Sequence, residues 1–326
     1  MSIKIIKSGM AATIQGAARR GYRSMGIGSS GAMDGFAMKV ANYLSGNESA
    51  AAIIEINFPA PEMLFLKDAF ISITGADFCA VINDTEVPNW APLFIKENSI
   101  LYFKKPLRGA KAYIAVKSGW QAEEWLHSCS THLKAAAGGH HGRTFQKDDV
   151  IEFTSGDFHF DQCKIFPWRI AATELGKVYG SNSIRCIKGA EWNWLNDISK
   201  SIFAERDFIV SEQSDRMGYR LNGQPLSLQQ PVELISSATD AGIIQLLPDG
   251  NCIALMADHQ TTGGYPRIAS VIKADLPKLA LAVPGSAVHF SIVSLQEAAL
   301  ALAEMEKTLT QIKIGCYLNL EKLIID

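Results

Sequence analysis

The chain has 326 residues, and at ~150 residues per domain this length predicts about two domains. The chain has 31 lysine and arginine residues and 33 aspartate and glutamate residues, so its formal net charge is −2. This charge argues against a general nucleic-acid binder, because such a protein needs a basic face. Hydrophobic residues make up 48% and charged residues 20%, a mixture that excludes disordered, collagen-like and coiled-coil chains.

The beginning of the chain predicts a strand rather than a signal peptide, because residues 1–7 mix lysines with apolar residues. The longest uncharged window, 279–296, is interrupted by Pro284-Gly285, Ser286 and His289, so no membrane span is expected. The six cysteines are scattered without a C-x-x-C pair. We therefore expect reduced thiols, mostly buried, and a cytoplasmic protein.

Short apolar segments between turn residues predict strands along most of the chain. Asn83-Asp84 separates two of them and predicts a hairpin turn. The predicted strands are 3–7, 68–74, 80–82, 86–87, 100–103, 112–116, 150–153, 208–210, 243–247, 253–256 and 288–293.

Helical spacing is clear in two places, 36–44 and 295–309. Since predicted strands outnumber predicted helices, the fold class is mainly β, in barrels or sandwiches.

Three pairs of landmarks suggest an internal repeat. Ser30-x-x-Met33 matches Ser214-x-x-Met217, Glu55 matches Glu233, and the pair Asp68 and Asp77 matches the pair Asp249 and Asp258, all at offsets of roughly 180 residues. The alternative is chance matching. A repeat would place the boundary between its halves within about 156–185.

The most unusual segment is 258–267, Asp-His-Gln-Thr-Thr-Gly-Gly-Tyr-Pro-Arg. Two glycines leave backbone amides open to an anion or carbonyl. Threonine hydroxyls and Gln260 are donors suited to a developing oxyanion, and Asp258 is a candidate proton acceptor. The alternative is a tight turn whose polar groups bind one another.

A second polar cluster occupies 211–221. Arg216 is suited to bidentate binding of a carboxylate or carbonyl. The alternative is an ion pair with Asp215 or Glu212. The glycine-rich segment 26–31 matches neither a phosphate-binding loop nor a dinucleotide fold, because the required lysine motif and preceding strand are missing.

No metal site is predicted, because no spacing among His127, His132, His140 and His141 fits zinc. Ala37-Met38-Lys39-Val40 is similar to a biotinylated-lysine motif, but its helical spacing excludes the hairpin turn that such a lysine needs. By residue chemistry alone, an enzyme with a glycine-rich oxyanion site and a non-catalytic binding protein both stay open.

Motifs spread over roughly residues 5–300 resemble the allophanate hydrolase subunit 2 family, also called the biotin-dependent carboxyltransferase family, which includes a component of 5-oxoprolinase. The matching segments are Gln245 to Pro248, Asp249-Gly250, Leu255 to Asp258, Gly263-Gly264-Tyr265-Pro266, Ser214 to Gly218, Ala32-Met33-Asp34, Ala41 to Asn47, Thr74 to Asp77 and Gly138 to Arg143.

The resemblance implies two tandem cyclophilin-like β-barrel halves with a few short helices. The expected division is 1–160, 161–300 and a C-terminal helix and tail over 301–326. It also implies a complex with two partners, called here the B component, which is similar to allophanate hydrolase subunit 1, and the A component, of the lactam-utilisation type. Such a complex cleaves 5-oxoproline to glutamate with ATP as cosubstrate.

For such an activity, our hypothesis places the site at the segment 258–267 and its neighbours. Gln260, Thr261, Thr262 and the amides of Gly263-Gly264 would bind the amide oxygen, Asp258 would orient them or relay a proton, and Arg267 would hold a carboxylate or phosphate. Asp215, Arg216, Gln245 and Tyr265 complete the predicted substrate-binding residues.

The sequence departs from the family pattern at His259 and Arg267, where the family usually has arginine and lysine. Lysine serves as a base when desolvated, whereas arginine keeps its proton, so Arg267 is left as an anion-binding charge. Two alternatives to the oxoprolinase stay open. One is carboxyl transfer from carboxybiotin to urea or a similar amide, and the other is a non-catalytic antagonist that only sequesters a partner similar to allophanate hydrolase subunit 1.

Overall fold

The computed structural model describes residues 1–154, 160–230 and 232–325. Residues 155–159, which include the start of the predicted boundary region, lie outside the described residues. The chain forms two compact units. Unit 1 comprises Met1–Arg19, Asp34–Ala172 and Lys307–Asp326, and unit 2 comprises Arg20–Met33 and Thr173–Glu306. These bounds differ from the predicted division at 160 and 300. One reason is that Met33, only 5% exposed, packs in the hydrophobic core of unit 2.

Unit 1 arranges its described strands in two six-stranded sheets. The order in the first is β11-β1-β4-β9-β6-β7, and in the second β12-β8-β5-β10-β3-β2. The strands are β1 (Ser2–Lys7), β2 (Ala12–Gln15), β3 (Ile53–Ile56), β4 (Glu62–Phe65), β5 (Ala69–Asp77), β6 (Ala80–Ile82), β7 (Thr85–Glu86), β8 (Pro92–Ile95), β9 (Ile100–Phe103), β10 (Arg108–Val116), β11 (Val150–Glu152) and β12 (Lys164–Ile165).

Helix α1 (Gly35–Leu44) packs against β5 and β10, as its spacing of apolar residues predicts. Asp34 caps it, since the carboxylate accepts a hydrogen bond from the Ala37 amide at 2.9 Å. The predicted hairpin is also confirmed, because Asn83 and Asp84 both have positive φ (46° and 71°), as a type I′ turn between β6 and β7 requires.

Unit 2 is built on a closed seven-stranded barrel in the order β13-β20-β17-β18-β15-β14-β21, and β16 pairs separately with β19. Its strands are β13 (Ser183–Lys188), β14 (Asp207–Val210), β15 (Gly218–Asn222), β16 (Ser237–Ala238), β17 (Ile243–Leu246), β18 (Cys252–Leu255), β19 (Thr262–Gly263), β20 (Arg267–Val271) and β21 (Ala287–Ile292). Its short helices are α2 (Ala172–Tyr179), α3 (Asp197–Glu205) and α4 (Leu276–Leu281). Single 3₁₀ turns lie at Arg23–Met25, Leu133–Ala135 and Trp192–Trp194.

Alternation along the barrel strands decides which side chains reach the site. On β17, Ile244 and Leu246 belong to the barrel core. Because successive side chains of a strand point to opposite faces, Gln245 points away from that core. It is nevertheless fully buried, since the segment that follows β18 covers it.

The last element is the helix α5 (Leu295–Ile325), of 31 residues. It confirms the predicted helix at 295–309 and continues well beyond it. Leu309, Ile312, Cys316 and Leu320 are buried at helical spacing, which explains the extension. Leu320 packs in a cluster of unit 1 with Phe70, Phe94 and Phe166.

The prediction of a mainly β chain is confirmed by this architecture. In the repeat comparison, Asp68 precedes β5 and Asp77 ends it, and Asp249 and Asp258 likewise flank β18. Glu233 differs from its counterpart, because Glu55 lies on β3 whereas Glu233 lies outside any strand.

Among the described residues all six cysteines are free thiols, three of them buried. None of the described helices combines the length and apolarity needed to cross a membrane.

Candidate functional site

An ion pair between Arg216 and Asp258 lies at one end of the predicted site. The guanidinium binds the carboxylate through two hydrogen bonds, from Nε to Oδ2 at 2.8 Å and from Nη2 to Oδ1 at 3.0 Å. The side chains are only 13% and 14% exposed. Arg216 thus forms an ion pair within the chain, the alternative that the sequence left open, but its partner is Asp258 and not Asp215 or Glu212.

The barrel strands explain why these two residues meet. Arg216 precedes β15 and Asp258 follows β18, and the two strands pair with Gly218 opposite Leu255. Backbone bonds extend the pairing, since the Asp258 amide donates to the Arg216 carbonyl at 2.8 Å. Asp215 lies next to this pair but has a turn-forming role, because its Oδ1 accepts the Met217 amide at 2.7 Å.

The segment 259–265 crosses the outer face of β17. A Cβ atom on Gly263 would lie 2.7 Å from Nε2 of Gln245 and 3.5 Å from Nε2 of Gln260, so the absence of a side chain at this glycine permits the close approach. Nε2 of Gln245 donates to the Tyr265 carbonyl at 3.5 Å. The Oε1 atom of Gln245 is buried and has no hydrogen-bond partner among the described residues.

The predicted oxyanion donors are partly accessible. Gln260 and Thr262 are exposed, Thr261, Gly263 and Gly264 are half-buried, and Tyr265 is 44% exposed. Thr262–Gly263 forms β19, which pairs with Ser237–Ala238 of β16. This pairing holds Thr262 and Gly263 in an extended conformation.

His259 is buried beneath this segment and is 2% exposed. Its Nδ1 lies 2.6 Å from the Gln260 carbonyl oxygen, and Nε2 lies 3.8 Å from Oδ1 of Asp240. Thr239 donates its hydroxyl to the same Gln260 carbonyl. Burial lowers the pKa of His259 below its ordinary value, although the carbonyl and Asp240 act in the opposite direction. His259 is therefore a neutral support for the Gln260 backbone at neutral pH.

Arg267 forms a second, separate ion pair. Its Nε and Nη2 donate to the two Glu191 carboxylate oxygens at 3.0 and 2.8 Å, and its backbone amide donates to Oε2 at 2.8 Å. Burial alone would raise the pKa of Glu191, but the hydrogen bonds from Arg267 outweigh it and the pKa lies below the usual value. The hydrogen bond from Glu191 likewise raises the pKa of Arg267, which keeps a permanent charge and is 25% exposed.

The two ion pairs lie at different levels of the barrel wall. On β17, Gln245 pairs with Arg267 on one side and with Ile253 of β18 on the other. Asp258 comes after Leu255, the last residue of β18, which lies two residues beyond Ile253. Along the strand direction, the level of Arg267 is offset from the strand end that Asp258 follows by two residues, or ~7 Å at ~3.3 Å per residue, and β17 lies between the two strands. The structure therefore groups Asp258 with Arg216, and Gln245 with the glycines, and places Arg267 apart from Asp258.

Sequence reasoning missed Glu191, Thr239 and Asp240. Glu191 lies 76 residues before its partner, and the pair forms because β13 and β20 are barrel neighbours, with Lys188 opposite Ala269. No local pattern signals such a contact. The sequence already showed that histidine stands at position 259 where the family usually has arginine. In the structure this His259 is the buried side chain that contacts the Gln260 carbonyl.

The site offers a small polar molecule neutral donors and the partly exposed guanidinium of Arg267, whose charge is paired with Glu191. Its carboxylates are paired with arginines, so neither Asp258 nor Glu191 is a free anion. Among residues 1–154, 160–230 and 232–325, no cluster of three or more histidine, cysteine, aspartate or glutamate side chains could hold a metal ion. The catalytic roles assigned to Asp258, Gln260, Thr261, Thr262 and Arg267 stay predictions.

Two relatives match almost the whole chain. The sequence is 35% identical over 310 residues to the 5-oxoprolinase C subunit of Escherichia coli (strain K12), and the match covers 95% of this chain and 97% of that protein. It is 37% identical over 302 residues to the 5-oxoprolinase C subunit of Haemophilus influenzae, and this match covers 93% and 94% respectively.

The fold also matches a solved structure of a larger protein. The Kluyveromyces lactis urea carboxylase superposes with a TM-score of 0.86 at 23% identity, over 97% of this chain and 29% of that chain. The family model described as carboxyltransferase domain, subdomain A and B, matches residues 25–292. This protein therefore belongs to the family of the carboxyltransferase domain, subdomains A and B.

Proposed function

We propose that this protein is the C component of an ATP-dependent 5-oxoprolinase, which opens the ring of 5-oxo-L-proline to give L-glutamate together with the A and B components. The observation that supports this most directly is the 35–37% identity to two proteins named as the 5-oxoprolinase C subunit, over at least 93% of every chain compared. Ring opening breaks the amide C–N bond, with the hydroxyl of water added to carbon and a proton to nitrogen. ATP is hydrolysed to ADP and phosphate with a second water.

The donors for the amide oxygen are the exposed side chains above the glycines. Gln260 and Thr262 are accessible, and the Gln260 amide lies near Gly263. As the ring carbonyl becomes tetrahedral, its oxygen gains negative charge, which fixed neutral donors stabilise. The short β16–β19 pairing and the support of the Gln260 carbonyl by Thr239 hold these donors in place before the substrate binds.

The two ion pairs have different roles in this proposal. Asp258 is held by Arg216 and orients the segment that follows it, and it relays a proton only when this pair opens. Arg267 keeps its proton at all physiological pH values, so it binds the substrate carboxylate or a phosphate rather than acting as a base. Its Nη1 also binds the Ala238 carbonyl at 3.3 Å, which fixes the direction of the guanidinium.

The A and B components are the proposed partners, as the names of the two relatives imply a multisubunit enzyme. We place the reaction in the cytoplasm, where the free thiols of this chain persist in reduced form. The isolated chain is expected to be inactive, because Asp258 and Glu191 are both paired with arginines and are not free to act as a general base.

Reconstitution tests this proposal. The purified chain is combined with its A and B counterparts, and glutamate release from 5-oxoproline is measured with and without ATP. We expect release that needs all three proteins and ATP. Gln260→Ala should reduce kcat at least tenfold, whereas the matched control Gln213→Ala, which changes an exposed glutamine of the same unit, should retain it. The absence of glutamate release from a folded three-protein complex would refute the function.

The carboxyltransferase family favours a second candidate, carboxyl transfer from carboxybiotin to urea or a similar amide. This candidate predicts that free biotin binds near the exposed Tyr265, which calorimetry measures directly. Tyr265→Ala should then weaken biotin binding. Biotin binding without ATP-dependent glutamate release would favour this candidate over the oxoprolinase. If Asp258→Ala and Gln260→Ala both left turnover of the complex unchanged, this would favour the remaining alternative, a non-catalytic protein that only binds its partner.

A further inference from the structure

The segment 23–31 belongs to unit 2 and contacts residues at the site through one hydrogen bond and one ion pair. Nη2 of Arg216, the residue that binds Asp258, donates to the Gly31 carbonyl at 2.7 Å. At the other end of the segment, Nη1 of Arg23 lies 3.5 Å from Oδ1 of Asp240. The segment therefore runs between the Arg216–Asp258 pair and Asp240, the residue that faces His259.

Ser30 has an unusual backbone conformation within this segment. Its φ is +51°, in the left-handed region that favours glycine. Residues other than glycine keep such a conformation only where their surroundings enforce it, and these positions concentrate at functional sites. Here the enforcing contacts are the Arg216 bond to the next residue, Gly31, and the buried side chain of Met33 in the barrel core.

The Ser30 side chain is also unusual. The residue is 4% exposed, and its hydroxyl has no hydrogen-bond partner among the described residues. A buried hydroxyl is normally paired, because an unpaired one loses its bonds to water without replacement. The donor capacity of the Ser30 hydroxyl is therefore unused by the described residues.

Two further buried polar atoms of unit 2 lack hydrogen-bond partners in the described chain, and both belong to residues of the predicted site. They are Oε1 of Gln245, beneath Gly263, and Nε2 of His259, on the side of the ring that faces Asp240. With Nδ1 of His259 donating to the Gln260 carbonyl, Nε2 is an acceptor, as is Oε1 of Gln245. Unit 2 thus has two unpaired buried acceptors in the segment 258–267 and on β17 and, in the segment bound to Arg216 and Asp240, a buried hydroxyl that is able to donate.

We propose that Ser30 is a substrate-binding residue of this site, whose hydroxyl donates a hydrogen bond to an oxygen of a small cyclic amide acid. This inference rests on the proposed function. A lactam acid presents carbonyl and carboxylate oxygens together with one N–H, which matches a donor at Ser30 combined with the acceptors Gln245 and His259. The bond from Arg216 to Gly31 and the buried side chain of Met33 hold the backbone on either side of Ser30 in place.

The test uses the three-protein complex and the probe 5-oxo-L-proline. Ser30→Ala removes the hydroxyl while keeping a residue with the same backbone restrictions. We expect KM for 5-oxoproline to rise about tenfold, the effect of one lost hydrogen bond, with KM for ATP unchanged. Ser24→Ala, which changes an exposed serine of the same segment, is the matched control and should leave both constants unchanged.

A second variant separates the hydroxyl from backbone strain. Ser30→Gly also lacks the hydroxyl but adopts positive φ without cost, so it should fold at least as well as the natural protein and show the same rise in KM. If the natural complex releases glutamate while both variants keep the natural KM, the inference about Ser30 is wrong and the function stands. If the natural folded complex releases no glutamate, the function fails and this inference fails with it.

Discussion

The ion pair between Arg216 and Asp258 should stabilise unit 2 far more than a surface pair does. Arg216→Ala removes two bonds to the carboxylate and one to the Gly31 carbonyl, and leaves Asp258, 14% exposed, without its cation. Breaking a buried pair costs ~3–5 kcal/mol, and hydrogen bonds to charged groups contribute ~1.5–3 kcal/mol each. Since both side chains reach some water, we expect a loss of about 3 kcal/mol in the free energy of unfolding.

Urea unfolding measures this loss. With an m-value of ~3 kcal/mol/M, a loss of about 3 kcal/mol lowers the midpoint of the transition by ~1 M. A double-mutant cycle with Arg216→Ala and Asp258→Ala then isolates the pairwise term, and we expect a coupling free energy of about 2 kcal/mol. The variants should also move the segment after Asp258 and reduce turnover of the reconstituted complex.

The control cycle uses Lys200 and Asp197 on α3, a pair at 3.0 Å in the same unit whose carboxylate is 96% exposed. Its coupling should be within the error of the measurement, because water screens an exposed pair. A coupling for Arg216 and Asp258 that is no larger than this control would refute the reasoning. It would mean that the pair orients the neighbouring segments without stabilising the folded protein.

Three further predictions concern other parts of the chain. Gly263→Ala should lower the free energy of unfolding by ~1–3 kcal/mol and reduce turnover, because the new methyl group would lie 2.7 Å from Nε2 of Gln245. Hydrogen bonds from Arg143 lower the pKa of Asp149 to about 2 from 3.8, so this carboxylate stabilises the fold above pH ~4. Urea titrations should show that ~2 kcal/mol of this stability is lost as the pH falls towards 2, and Asp149→Asn should remove that part of the pH dependence. Thiol labelling followed by mass spectrometry should modify the exposed Cys163 first, whereas Cys252 and Cys316, whose pKa burial raises to about 12, should react only on unfolding.

Each of these three predictions has an outcome that would contradict it. Gly176→Ala is the control for Gly263, since its new Cβ meets nothing within 4 Å and it lies in a helix, where alanine is favoured. Equal losses in the two glycine variants would show that contact with Gln245 does not matter. Parallel pH profiles for the natural protein and Asp149→Asn would contradict the assigned pKa. Rapid modification of Cys316 in the folded protein would contradict its burial.

Much of the local structure could be predicted from the order of residues alone. Alternating apolar residues located strands such as β1, β5 and β21, and the spacing of 36–44 located α1, because periods of 2 and 3.6 residues report which face is buried. The turn at Asn83-Asp84 followed from residues that tolerate positive φ. The motif order also identified the family, although no single motif was longer than about ten residues.

Other elements were missed for physical reasons. The strands β16 and β19 are two residues long, and no periodicity is detectable in so short a segment. The predicted end of α5 at residue 309 fell short, because the polar Thr310, Gln311 and Lys313 and the helix-disfavouring Gly315 interrupt the apolar pattern, while Ile312, Cys316 and Leu320 continue the buried face.

The contacts that form the site depend instead on how the strands of unit 2 close into a barrel. Arg216 meets Asp258 across 42 residues, and Glu191 meets Arg267 across 76, because barrel closure makes their strands neighbours. The segment that contains Ser30 joins the same unit through Arg216 and Met33. Local sequence sets backbone preference and the buried face, but the partner of a polar side chain depends on strand order and register, which are properties of the closed barrel as a whole.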